Sequence, residues 1–167
     1  MCGIFGYWDR KRRALPDAAL DGMARSLAHR GPDGLEHWRH GAVGLGQAML
    51  RTTPEAAQEM LPLVQGELVL TADARIDNRD ELIRRLGLTD RPAGQLADSA
   101  LILAAYEKWG TACPEYLVGD FAFALWDGHR RTLFCARDHL GVRPFYYHCS
   151  PTFFACASEI KALLALP

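Results

Sequence analysis

MCGIFG, residues 1–6, sets a cysteine directly behind the initiator methionine and leads into the apolar run GIFGYW. Two readings of that stretch are open. In one, Cys2 only begins an edge strand. In the other, Cys2 becomes residue one once Met1 is removed, so that a single residue carries both a thiol and a free α-amine. Residues 2–8 read as a strand either way.

Working outward, DAALDGMARSLAHR (17–30) places Leu20, Met23, Ala24 and Leu27 at helical spacing and stops at the turn-rich RGPDG (30–34). AVGLGQAML (42–50) reads as a strand with Val43, Leu45, Gln47 and Met49 on one face. A loop with two prolines follows, and then a further strand, ELVLTADARI (67–76). Asn78 and Glu81 have the spacing of a capping box before Leu82, Ile83 and Leu86, and Gly87 stops that helix. Asp98 or Ser99 caps a second helix carrying Leu101, Ile102, Ala105 and Trp109, which ends at Gly110.

The last third is β-rich. DFAFALWD (120–127) and RTLFCARD (131–138) flank Asp127-Gly128 and read as a hairpin; PFYYHCS (144–150) and FFACAS (153–158) flank Ser150-Pro151 and read as another. A four-stranded antiparallel meander is expected, closed by a helix in SEIKALLALP (158–167). Strands at both ends with helices between predict stacked α and β layers, not a doubly wound parallel sheet.

The 167 residues suit one domain. A formal net charge of −1 gives no reason to expect nucleic acid or an anionic membrane as partner. No apolar run approaches the roughly 20 residues of a membrane helix, and no basic-then-apolar leader opens the chain. The expected compartment is the cytoplasm. The five cysteines (2, 113, 135, 149, 156) form no C-x-x-C pair, and Cys135, Cys149 and Cys156 read as buried reduced thiols. No metal site is expected.

MCGIFG (1–6), AHRGPDG (28–34), GDFAFALWD (119–127), RDHLGVRPFYY (137–147) and ASEIKAL (157–163) occur in the order and near the spacings of one family. Over essentially its whole length the chain resembles the glutaminase domain of class II glutamine amidotransferases, that of asparagine synthetases in particular. The resemblance implies an α+β fold, the four-layer α/β/β/α sandwich of two antiparallel sheets found in N-terminal-nucleophile hydrolases. It also implies a cysteine-dependent enzyme. Cys2 is the nucleophile. Its α-amine, with a pKa near 8 against about 8.5 for a thiol, takes the thiol proton. The thiolate attacks the side-chain amide of glutamine, ammonia leaves, and water hydrolyses the thioester to glutamate.

Residues 29–33, with Arg30 and Gly31 as substrate-binding candidates, match the family's loop beside the site; a plain tight turn is the alternative. Asp98 falls where the family holds the substrate's α-ammonium, a role a carboxylate fills by a charge-assisted hydrogen bond, but it suits a helix cap equally well. Arg137 and Asp138 read as turn architecture.

Two stretches depart from the family pattern. Where the family has N-G-E, this chain has Asp73, Ala74 and Arg75. The family's asparagine donates an N–H to the tetrahedral intermediate. An ionised Asp73 has none to give, and losing such a donor costs about 10²–10³ in rate. Ala74 keeps its backbone N–H. Met49 stands where the family's arginine grips the α-carboxylate; Arg51 or Arg75 is then the candidate stand-in, or Met49 is simply core. These departures look like those of related ATP-dependent enzymes, the β-lactam synthetases and lasso peptide cyclases, in which this domain is a scaffold. Glutamine and a C-terminal synthetase domain are the expected partners, with a homodimer an open option. No cofactor is expected in this domain; ATP and Mg would belong to the synthetase domain, whose S-G-G-x-D-S loop is absent from these 167 residues.

Overall fold

The computed structural model describes residues 1–15, 17–52, 56, 59–89 and 96–166. Part of the proline-containing loop lies outside them. Nine strands and four α-helices run in chain order among these residues. They are β1 (Gly3–Asp9), α1 (Asp17–Leu27), β2 (Gly34–His40), β3 (Val43–Met49), β4 (Leu63–Gln65), β5 (Leu68–Ile76), α2 (Arg79–Leu86), α3 (Asp98–Trp109), β6 (Gly119–Asp127), β7 (Thr132–Arg137), β8 (Tyr146–Cys149), β9 (Phe153–Ala157) and α4 (Ile160–Leu164).

Two antiparallel sheets result, one ordered β2-β3-β1-β9-β8 and the other β4-β5-β6-β7. The expected meander does not form. The β6–β7 hairpin belongs to the four-stranded sheet and the β8–β9 hairpin to the five-stranded one. The chain changes sheets because β9 finds β1 as its partner, with Phe5 opposite Ala157 and Trp8 opposite Phe154. The crossing segment is pinned by Asp138, whose carboxylate accepts the N–H groups of Val142 (2.8 Å) and Arg143 (2.9 Å). Burial tends to raise the Asp138 pKa, but these backbone donors outweigh it and hold the carboxyl below its ordinary range.

The layers follow from side-chain alternation. Phe5 and Tyr7 of β1 pack on Leu20, Met23 and Leu27 of α1. Gly46 of β3 leaves the space that Phe5 fills, since a Cβ there would stand 2.0 Å from the ring. The predicted opposite face of β3 meets the other sheet. Leu45 packs with Val69, Ala124 and Cys156, and the buried Gln47 donates from Nε2 to Ala72 O (3.0 Å). Trp8 meets Trp126 edge-on across the same gap, with centroids 5.6 Å apart. On the outer side of the second sheet, Ile102, Leu103 and Tyr106 of α3 pack on Leu70, Phe121 and Phe123. The architecture is the expected α/β/β/α sandwich.

Local details differ from the sequence reading. The first helix ends at Leu27 and continues as a short 3₁₀ turn, Ala28–Arg30. Asn78 does not form a capping box. Its amide donates to Tyr116 O (3.0 Å) and Glu81 (3.3 Å), and its Oδ1 accepts from Val118 N (3.0 Å), so it ties α2 to the β6 entry. Neither Asp98 nor Ser99 caps α3. Ala97 is the capping residue, and the Ser99 N–H is taken by Glu59 (3.2 Å). Cys149, read as buried, is exposed on the edge strand β8, whereas Cys156 is buried and Cys135 partly so.

Candidate active site

The start of β1 lies where the two sheets meet. Ile4 N donates to Ser158 Oγ (2.9 Å) and Ser158 N donates back to Ile4 O (2.9 Å), fixing β1 to the strand that precedes α4. Arg30 secures the residue just before it, donating from Nη1 to Cys2 O (3.2 Å) and from Nε to Glu159. Glu159 also takes His29 Nε2 (3.0 Å) and Lys161 (3.0 Å). Burial pushes the Glu159 carboxyl up, but these donors outweigh it, Arg30 first, and bring its pKa down to about 2.

Cys2 thus lines a cavity of about 110 Å³. The thiol donates toward Leu50 O (3.5 Å), receives the Leu50 N–H (3.4 Å) and touches Met49 Sδ (3.9 Å). The Cys2 N–H donates to Asp73 Oδ1 (3.3 Å). Burial raises the thiol pKa; the Leu50 N–H works against this, and the charges of Asp73 and Glu59 add to it. Asp73, on β5, is 4% exposed, and burial raises its pKa against the pull of Arg143.

The cavity wall brings together Cys2, Asp73, Ala74, Arg75 and Asp98 of the residues singled out in the sequence, with Met1 beside them. Arg75 is largely exposed and ion-paired with Asp77 (3.0 Å). Asp98 pairs with Arg79. Arg30 and Gly31 are outside the wall. Arg30 backs Cys2, and Gly31 presses on β3, where a Cβ would stand 2.2 Å from the Ala48 carbonyl carbon. Arg51 turns away to Asp33, through its N–H to Oδ2 (2.7 Å) and Nη1 to the backbone oxygen (2.9 Å). It lines a neighbouring cavity of about 460 Å³ with Met49 and Gln47. Sequence reasoning did not single out Glu59 and Arg143 of the same wall. The signal for Arg143 was its place in RDHLGVRP, read only as a turn. Among the described residues no group of three or more His, Cys, Asp or Glu is placed to hold a metal ion.

Two facing antiparallel sheets clad by helices, with a near-terminal thiol at their junction, form the fold expected of N-terminal-nucleophile hydrolases. A solved structure of glutamine phosphoribosylpyrophosphate amidotransferase from B. subtilis shares it with a TM-score of 0.75 at 19% identity, covering 98% of this chain and 43% of that one. Residues 1–167 match the glutamine amidotransferase domain family, and the chain belongs to it. The chain's curated relatives include glutamine-hydrolysing asparagine synthetases. It is 34% identical over 171 residues to "Asparagine synthetase [glutamine-hydrolyzing] 3" of Bacillus subtilis (strain 168), covering 100% of this chain and 28% of that protein. It is 33% identical over 190 residues to a putative glutamine-hydrolysing asparagine synthetase of Mycobacterium tuberculosis (strain ATCC 25618 / H37Rv), covering 99% of this chain and 28% of that one. The chain therefore spans less than a third of the length of these curated relatives. No helix among the described residues is long and apolar enough to cross a membrane.

Proposed function

We propose that this domain hydrolyses glutamine at Cys2 once Met1 is removed, and passes ammonia to a synthetase domain that forms an amide at the expense of ATP. The observation that carries this reading is the shared wall. Cys2, which carries both the thiol and the nitrogen that Met1 removal would free, and Asp98 border one cavity.

Removing Met1 turns the Cys2 N–H into an α-amine that can accept the thiol proton. Sγ bonds to the side-chain amide carbon, the C–N bond breaks, and the proton leaves with the nitrogen as ammonia. Water then cleaves the thioester, returning the thiol and releasing glutamate. The Ala74 N–H is the backbone donor for the intermediate's oxygen, Asp98 receives the substrate's α-ammonium, and Arg75 is a cation of this wall that can meet its α-carboxylate. Arg30 and Gly31 support the Cys2 side of the pocket from behind, and Arg51 borders its neighbour. No step in this domain calls for a cofactor; ATP and Mg belong to the synthetase step. The compartment we expect is the cytoplasm, where thiols stay reduced.

A second reading draws on one specific observation, the Asp73 carboxylate lying 3.3 Å from the Cys2 nitrogen where a donor would serve better. In it the domain braces a lactam synthetase or lasso peptide cyclase and hydrolyses nothing. Glutamate release separates the two. The glutaminase reading expects release that Cys2→Ala abolishes, rising further in Asp73→Asn combined with Met49→Arg. Release that is absent, or indifferent to Cys2→Ala, would favour the brace.

A further inference from the structure

Asp73 and Arg143 form a pair buried in the wall beside Cys2. Asp73 Oδ1 accepts the Cys2 N–H at 3.3 Å and faces Arg143 Nη1 at 3.4 Å. The Arg143 side chain is 14% exposed, and its backbone is fixed by the bond from its N–H to Asp138 Oδ2 (2.9 Å). Two atoms of the pair remain unused. Asp73 Oδ2 and Arg143 Nε are both buried without a hydrogen-bond partner. A buried donor or acceptor left idle is uncommon and costly, so its presence calls for an explanation.

The chemistry at Cys2 supplies one. When Sγ adds to an amide carbon, negative charge builds on the carbonyl oxygen within this small cavity. An unpaired carboxylate in the wall would repel that charge, and would equally disfavour the thiolate that precedes it. A guanidinium in contact with the carboxylate cancels the repulsion and still has an N–H to spare.

We propose that Arg143 is a positioning residue of the Cys2 site. It holds the Asp73 carboxylate neutralised against the Cys2 nitrogen, so that Asp73 anchors the nucleophile's backbone without opposing charge on sulfur or on the substrate oxygen. The proposal rests on the reading of Cys2 as nucleophile. It differs in making two substitutions interdependent: an acid at position 73 works here only with a cation at position 143.

The test uses protein expressed from its whole reading frame, with Met1 removal checked by intact mass. The rate of Cys2 alkylation by iodoacetamide at pH 7.5 is read by peptide mass spectrometry. Arg143→Ala should slow it about tenfold, the effect of an uncompensated neighbouring charge that raises the thiol pKa by one unit. Arg143→Lys, which keeps the charge, should stay within about threefold of wild type. In an Asp73→Asn background the same Arg143→Ala change should slow the reaction less than about twofold. Equal rates for wild type and Arg143→Ala, or the same slowing in both backgrounds, would overturn the proposal. Should Arg143→Ala fail to fold, Arg143→Gln with and without Asp73→Asn reads the same coupling. Coupled thiol reactivity without glutamate release would remove the glutaminase reading and keep this one. Glutamate release without coupling would do the reverse.

Discussion

Glu159→Gln should destabilise the domain at neutral pH and leave it almost unaffected in strong acid. Glu159 gathers Arg30, Lys161 and His29 on one carboxylate, and Arg30 in turn holds the Cys2 carbonyl. Its pKa falls from 4.5 to about 2. A carboxyl whose folded pKa is depressed binds its proton later in the native state than in the unfolded chain. Its stabilisation is therefore complete above about pH 4.5 and is lost as pH falls toward 2. At 1.36 kcal/mol per unit the ceiling is roughly 3 kcal/mol. The side chain is 25% exposed, so solvent screening brings the expected value to about 2 kcal/mol. Urea unfolding followed by tryptophan fluorescence measures it, urea being uncharged and leaving the ion pairs unscreened. The wild-type advantage over Glu159→Gln should be about 2 kcal/mol at pH 7 and about 1 kcal/mol or less at pH 3. An advantage that does not change between those pH values would refute the electrostatic account and leave only packing.

Further outcomes follow from the same contacts. Gly31→Ala should cost roughly 1–3 kcal/mol or more in urea, because the added carbon meets the Ala48–Met49 backbone at 2.2–2.3 Å and backbone cannot swing aside. Asp138→Ala should cost roughly 3 kcal/mol, since two backbone N–H groups lose a charged acceptor that is 6% exposed. In the native protein at pH 8, iodoacetamide should label exposed Cys149 quickly and leave Cys113 unlabelled until urea is added. Cys113 is fully buried, and burial lifts its thiol to about 12.

Much of this molecule can be read from its letters where one face of an element is apolar. Leu20, Met23, Ala24 and Leu27 are buried as their spacing predicts, and Leu45 and Gln47 share the inter-sheet face of β3. GLEHWRH (34–40) gave no such signal. It is an edge strand with its side chains half-buried or exposed, so neither of its faces carries an apolar code. The two C-terminal hairpins were legible as hairpins, but their separation into different sheets was not. Turn residues fix local pairing, whereas the choice of sheet depends on β1 at the far end of the chain. The same limit applies to the site. Cys2 stands out by position. The partnership of Arg143 with Asp73 joins residues seventy positions apart, and nothing local in RDHLGVRP announces it.

The central claim is that Cys2, freed of Met1, attacks the side-chain carbon of a bound glutamine. The most direct measurement offers the mature protein a glutamine analogue with an electrophilic carbon in place of the amide, and locates the adduct by peptide mass. A single adduct on Cys2, suppressed by excess glutamine, is the predicted result. An unmodified Cys2, or labelling that glutamine does not suppress, would contradict it.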